Sequence, residues 1–201
     1  MTRILILIIL TNFSIIAQNK DYLFLAKKID SMAVEDQKWR KLLSKMYTEN
    51  SDSTEKPYLK LMVKKTDSLN QIEIKRIFKL YGYPKISMVG NNSSNKFWLL
   101  VQHCDNDIMF QEQILKAMKK LIAENECARN EYAYLTDRIM INKGKAQIYG
   151  TQVELNEKGT EYVPKKLYRP KSVDKRRKQM NIIPNSLNAY LTNMNRDFLK
   201  K

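Results

Sequence analysis

A chain of 201 residues, 43% hydrophobic and 28% charged, holds enough apolar material for one globular core, which excludes disorder as its main state. Thirty-six Lys and Arg against 21 Asp and Glu give a formal charge of +15, and five Gly and five Pro are too few for a fold of many short strands and tight turns. A single His excludes a His-rich metal site, and no spacing of Cys and His suggests zinc.

Residues 1–17 have the build of a secretory signal peptide. Arg3 leads, residues 4–10 are unbroken hydrocarbon, and Ile15, Ile16 and Ala17 precede polar Gln18. Thr11, Asn12 and Ser14 interrupt the run, which keeps it short of the ~20 residues a membrane span needs. Cleavage after Ala17 removes Arg3 and leaves +14 on residues 18–201, expected as a single helical domain. The expectation is an exported protein, periplasmic or secreted, with no transmembrane segment after cleavage.

Helical periodicity runs through residues 22–47, where Leu25, Ile29, Met32, Ala33, Leu43 and Tyr47 recur on one side. Residues 48–56 form a polar loop, and Pro57 opens a helix to about residue 68. Asn70 is placed to cap another, because Ile74, Ile77, Phe78 and Tyr81 share a face; Gly82 and Pro84 stop it. Residues 90–95 read as a turn cluster. Residues 97–104 are a continuous apolar run, a buried helix or a strand, with helix favoured because its neighbours are helices; residues 108–122 and 128–141 read as further helices. A helix between Cys104 and Cys127 would hold them roughly 27 Å apart, so both are expected as free, buried thiols.

The texture then changes. Residues 146–155 alternate, residues 156–159 turn, and residues 160–163 return, which predicts one short hairpin. A basic helix over 173–180 and a closing helix over 184–198 follow. The fold class is therefore mainly α: a single-domain helical bundle with one small β-hairpin in the C-terminal third.

Polar residues intrude where apolar ones are expected. Asp36 and Arg40 lie on the apolar stripe of the first helix, four apart and able to pair, with Gln37 beside them. An unpaired buried charge is expensive, so the pair is either a structural salt bridge or the lining of a polar pocket. His103 follows the most apolar segment; it is either a satisfied core histidine or a neutral-pH acid–base group, with Gln102 on its side. Asp105 and Asp107 are alternatives as caps for the next helix. Asp137 and Arg138 sit on a later helix, and Gln147, Tyr149, Thr151 and Gln152 crowd hydrogen-bonding groups into the hairpin, around Gly150. Arg176 and Arg177 on the basic helix are either a solvated face or an anion clamp.

In order, Asp36-Gln37 with Arg40, Gly82 with Pro84, Val89-Gly90, Gln102-His103 with Asp105, Asp137-Arg138, Gln147 with Tyr149-Gly150-Thr151-Gln152, and Asp174 with Arg176-Arg177 resemble the uncharacterised bacterial family known as domain of unknown function 6624, over about residues 36–180. Ala146 and Tyr83 stand where the resemblance leads one to expect Pro and Trp. It implies a shared polar site and supplies no activity.

Two classes of function compete. One is a hydrolase acting on a polar or anionic substrate, with His103 as general acid/base, Asp137 or Asp105 orienting it, Arg40 and Arg138 holding negative charge, and Gln147 and Gln152 positioning the substrate. The other is a non-catalytic module for a small anionic ligand, or an envelope protein using its charge against anionic surfaces. No Gly-x-Ser-x-Gly elbow, phosphate loop or dinucleotide fingerprint occurs, no cofactor is implied, and nucleic acid is disfavoured as a partner.

Overall fold

The computed structural model describes the backbone of residues 2–48 and 54–199, and side chains over 20–47, 54–196 and 198. The described elements are α1 (Thr2–Thr48), α2 (Lys56–Tyr81), α3 (Ile86–Gln102), α4 (Ile108–Leu121), α5 (Arg129–Asn142), β1 (Val153–Leu155), β2 (Tyr162–Pro164), a single 3-10 turn at Pro170–Ser172, α6 (Val173–Gln179) and α7 (Leu187–Leu199). The molecule is helical with one antiparallel hairpin, as expected. The side chains of residues 1–17, expected as a signal peptide, lie outside the described residues, as do residues 49–53 of the first loop. Among the described residues no helix is long and apolar enough to cross a membrane.

The core is built where the apolar stripes of α1 to α5 meet. Ile29 of α1, Ile74 of α2, Phe97, Leu100 and Val101 of α3, Ile114 and Met118 of α4 and Leu135 of α5 are all essentially sealed from water. Each such side chain contributes about 1.5–3 kcal/mol by leaving water. Tyr83 and Phe97 meet edge to face at 5.5 Å, which ties the chain just after α2 to the middle of α3. Cys104 and Cys127 are buried free thiols; burial, the largest influence on each, pushes both up to about 12, so neither is a ready nucleophile.

Two boundaries among the helices differ from expectation. Asn70 starts no helix: α2 runs unbroken through it, and its side chain is buried inside the helix rather than capping an end. Gly82, at φ +71, does stop α2. Residues 91–95 form no turn. Gly90, at φ +78, breaks the helical path once, and α3 resumes because its polar residues find partners on other helices. Ser93 Oγ donates to Asp30 Oδ1 at 2.9 Å, and Asn95 Nδ2 to Glu131 Oε1 at 2.5 Å.

The hairpin is also shorter than the alternation suggests. Val153 pairs with Pro164, Glu154 with Val163 and Leu155 with Tyr162, and residues 147–152 lie outside the ladder. Across the outer side of β2, α7 supplies Asn195. Its Oδ1 accepts from Tyr162 N at 2.6 Å and its Nδ2 donates to Tyr162 O at 3.1 Å.

Candidate functional site

Three helices converge on one polar centre. Asp36 on α1 occupies a stripe position between Ala33 and Arg40, so helical geometry turns it inward, and only 1% of its side chain is exposed. His103 sits on the residue that ends α3, with its ring towards α1; 13% of its side chain reaches solvent. Its Nδ1 lies 3.1 Å from Asp36 Oδ1. An ionised carboxylate can only accept, so Nδ1 carries a proton and donates, and in the neutral ring Nε2 is then the nitrogen with the lone pair. Among the described residues Nε2 has no hydrogen bond.

Arg40 completes the centre. Its Nε donates to Asp36 Oδ2 at 3.2 Å, and its Nη2 pairs with Asp67 of α2. Gln37 Nε2 donates to Asp36 Oδ2 at 2.8 Å. Burial, the largest influence on Asp36, would raise its carboxyl, but the hydrogen bond and charge of His103, the charge of Arg40 and the bond from Gln37 together hold it below the ordinary value. Asp67 has Arg40 but neither Gln37 nor a bond to His103. Burial therefore wins there, and its carboxyl lies above the ordinary value.

Donor atoms of Asp36, Asp67 and His103 all lie within 4.8 Å of one another, a spacing a cation can use. The guanidinium of Arg40 already bridges the two carboxylates as the resident positive charge, so a metal ion would have to displace it.

The expected partners of His103 are elsewhere. Among the described residues, His103 bonds to neither Asp105 nor Asp137. Asp105 is exposed and grips Arg138 through two bonds, 2.6 and 2.5 Å, with Asn142 Nδ2 adding a third at 2.9 Å. The N-cap of α4 is Asp107, which accepts from Phe110 N at 3.0 Å. Gln102 offers its carbonyl to Gln111 Nε2 at 3.4 Å.

Asp137 is sealed in a second polar cluster. It accepts from the backbone N–H groups of Ile148, Tyr149 and Thr151 and from Thr151 Oγ1, at 2.7 to 3.1 Å. This winding of residues 147–152 around one carboxylate is why they do not extend as a strand. Gln147 staples the same loop: its Nε2 donates to the carbonyls of Gln152 and Lys165, and its Oε1 accepts from Gln152 N. The Gln152 amide donates to Thr151 Oγ1 at 3.2 Å. Arg177, fully buried, donates to the carbonyls of Tyr149, Gly150 and Pro184. Arg176 donates to the carbonyls of Ile148 and Tyr168. Neither arginine is a solvated face. Gly150 is at φ +66, and a Cβ there would stand 3.0 Å from Leu187 Cδ1.

Of the residues singled out in the sequence, then, Asp36, Gln37, Arg40 and His103 come together. Asp137, Gln147, Tyr149, Thr151, Gln152, Arg176 and Arg177 form a separate structural cluster, and Asp105 with Arg138 forms a surface pair. Sequence reasoning missed Asp67. Its signal was available: Thr66, Asp67 and Asn70 lie on the inward side of α2 defined by Ile74 and Ile77, and Thr66 and Asn70 are buried.

No curated protein and no solved structure matches this sequence. A family model does match, over residues 13–199, nearly the whole chain and beyond the 36–180 suggested by the motifs. The chain belongs to the family of unknown function DUF6624.

Proposed function

We propose that this is an exported hydrolase in which the Asp36–His103 pair performs acid–base chemistry on a polar or anionic substrate. One observation carries the proposal: a sealed carboxylate orients the protein's sole imidazole through Nδ1 and leaves Nε2 without a hydrogen bond among the described residues, on a side chain that is 13% exposed. In this role Nε2 takes a proton from water as the water oxygen bonds to the acyl or phosphoryl centre. The same proton then goes to the departing group as its bond breaks. Arg40, anchored by two carboxylates, faces developing negative charge with little reorganisation.

The test is turnover of a panel of carboxylic and phosphoric esters and amides by wild type, His103→Gln and Asp36→Asn. A loss of at least about 100-fold with the fold retained is expected for His103→Gln, the usual range for removing a general acid or base. Unchanged turnover overturns the proposal. So does ligand binding with no turnover in the wild type, which would make the centre a binding module for an anion. Activity that a chelator removes and a divalent cation restores also overturns it, because His103 would then be a ligand.

Export rests on residues 1–17. Expression of the full chain in a Gram-negative host should yield periplasmic protein beginning at Gln18. Cytoplasmic protein retaining Arg3 overturns export and leaves the catalytic proposal standing.

A further inference from the structure

Along the outer side of the contact between α1 and α3 runs a groove of about 370 Å³, within the size range of small-ligand sites. Its floor is apolar: Ala33 and Val34 of α1 and Leu99 of α3. Val34 leaves 65% of its surface in water, so a hydrocarbon laid over it gains free energy in proportion to the area covered. Its rim is cationic. Lys38 and Lys41 stand on one side and Lys96 on the other, and the lining contains no acidic residue.

Lys38 and Lys96 are held from outside the groove, by Glu35 at 3.6 Å and Asp30 at 3.0 Å, and Lys38 also lies 4.4 Å over the Trp39 ring. One carboxylate engages only part of an ammonium, which has three donors, so both can still bind an anion. Lys41 is exposed and has no ion-pair partner among the described residues. At one point the groove touches the acid–base centre. Gln37 lines it and also donates to Asp36, and Leu99 lies one helical turn before His103.

We infer that this groove binds an anionic amphiphile, with its phosphate or carboxylate head among Lys38, Lys41 and Lys96 and its hydrocarbon body on Val34 and Leu99. The two halves of the lining select the class together. An inorganic anion would leave the apolar floor in water, and a neutral hydrocarbon would leave the ammoniums without a partner. This deepens the hydrolase reading by naming its substrate class, and rests on that reading only for the bond that is cleaved; the binding stands on the groove alone.

The probe is n-dodecyl phosphate below its micellar concentration, with binding followed by calorimetry on the full chain. Inorganic phosphate and 1-dodecanol are expected to bind at least about tenfold more weakly, a difference of about 1.4 kcal/mol. The triple variant Lys38→Gln, Lys41→Gln, Lys96→Gln should lose at least about tenfold in affinity. Val34→Glu, a surface change that places a carboxylate on the floor, should do the same. His103→Gln should bind as wild type does.

Equal affinity in the triple variant overturns the inference, as does inorganic phosphate binding as well as the dodecyl ester. Binding to phosphatidylglycerol vesicles without binding to the monomer also overturns it, and assigns the lysines to a lipid surface. If the triple variant binds normally while His103→Gln abolishes turnover, the groove is wrong and the hydrolase reading survives. If binding falls and His103→Gln retains turnover, the reverse holds.

Discussion

Asp36 and Arg177 are both charges almost sealed from water, one in the α1–α2–α3 centre and the other under the loop that follows α5. Their partners differ in kind. Arg177 and Asp137 are answered mainly by main-chain groups: three carbonyls for the first, and three N–H groups with one side-chain hydroxyl, that of Thr151, for the second. Main-chain partners fix the path of residues 147–152 and leave little capacity for a ligand. Asp36 is answered by side chains alone, those of His103, Arg40 and Gln37, and all three are partly exposed. A polar cluster closed by backbone specifies a fold, whereas one built from side chains around an unbonded imidazole nitrogen is equipped for chemistry.

That contrast can be broken most decisively at Arg177. Arg177→Met should cost about 3 kcal/mol in urea denaturation, because three carbonyls, one in a buried bond and two in part-buried ones, each lose a charged donor. A variant as stable as wild type would remove the structural assignment of the C-terminal cluster.

A smaller effect is expected at Asp36, and it should depend on pH. Its folded carboxyl lies below its ordinary 3.8, with His103, Arg40, Gln37 and, more distantly, Asp67 as the groups facing it. Its stabilisation is therefore complete above the unfolded value and lost as the pH falls through the folded one. Asp36→Asn should cost about 2 kcal/mol at neutral pH, the scale of hydrogen bonds to a charged group, and nothing once acid has neutralised the wild-type carboxyl. Chemical denaturation across the acid range would show the gap closing; a gap that widens in acid refutes the assignment.

The smallest stability effect belongs to His103→Gln, at about 1 kcal/mol or less, since one side-chain hydrogen bond is exchanged for another. A cost equal to that of Arg177→Met would place both regions in the same structural category and remove the imidazole from the chemistry.

The helices and their ends were readable wherever an apolar stripe met a Gly or a Pro, as at Gly82 and Pro84. Asn70 misled because a residue type favoured as a cap can also lie buried in a helix that packing holds together. Residues 147–152 misled because alternation does not reveal a carboxylate elsewhere in the chain around which the backbone winds. In the centre, Asp36 and Arg40 were visible as interruptions of a hydrophobic stripe. Asp67 shares a face with Ile74 and Ile77, but Lys64, Lys65 and Ser68 beside it blur that signal. The true partner of His103 lies 67 residues away, a juxtaposition that only the packing of α1 against α3 creates.

Asn195 has a consequence for solubility. By offering one acceptor and one donor to Tyr162, its amide stands in for the next strand at the outer edge of β2 and blocks pairing with a foreign chain there. The closing helix thus acts as a guard, and a proteolytic cut that released it would leave β2 free to recruit other copies into aggregates.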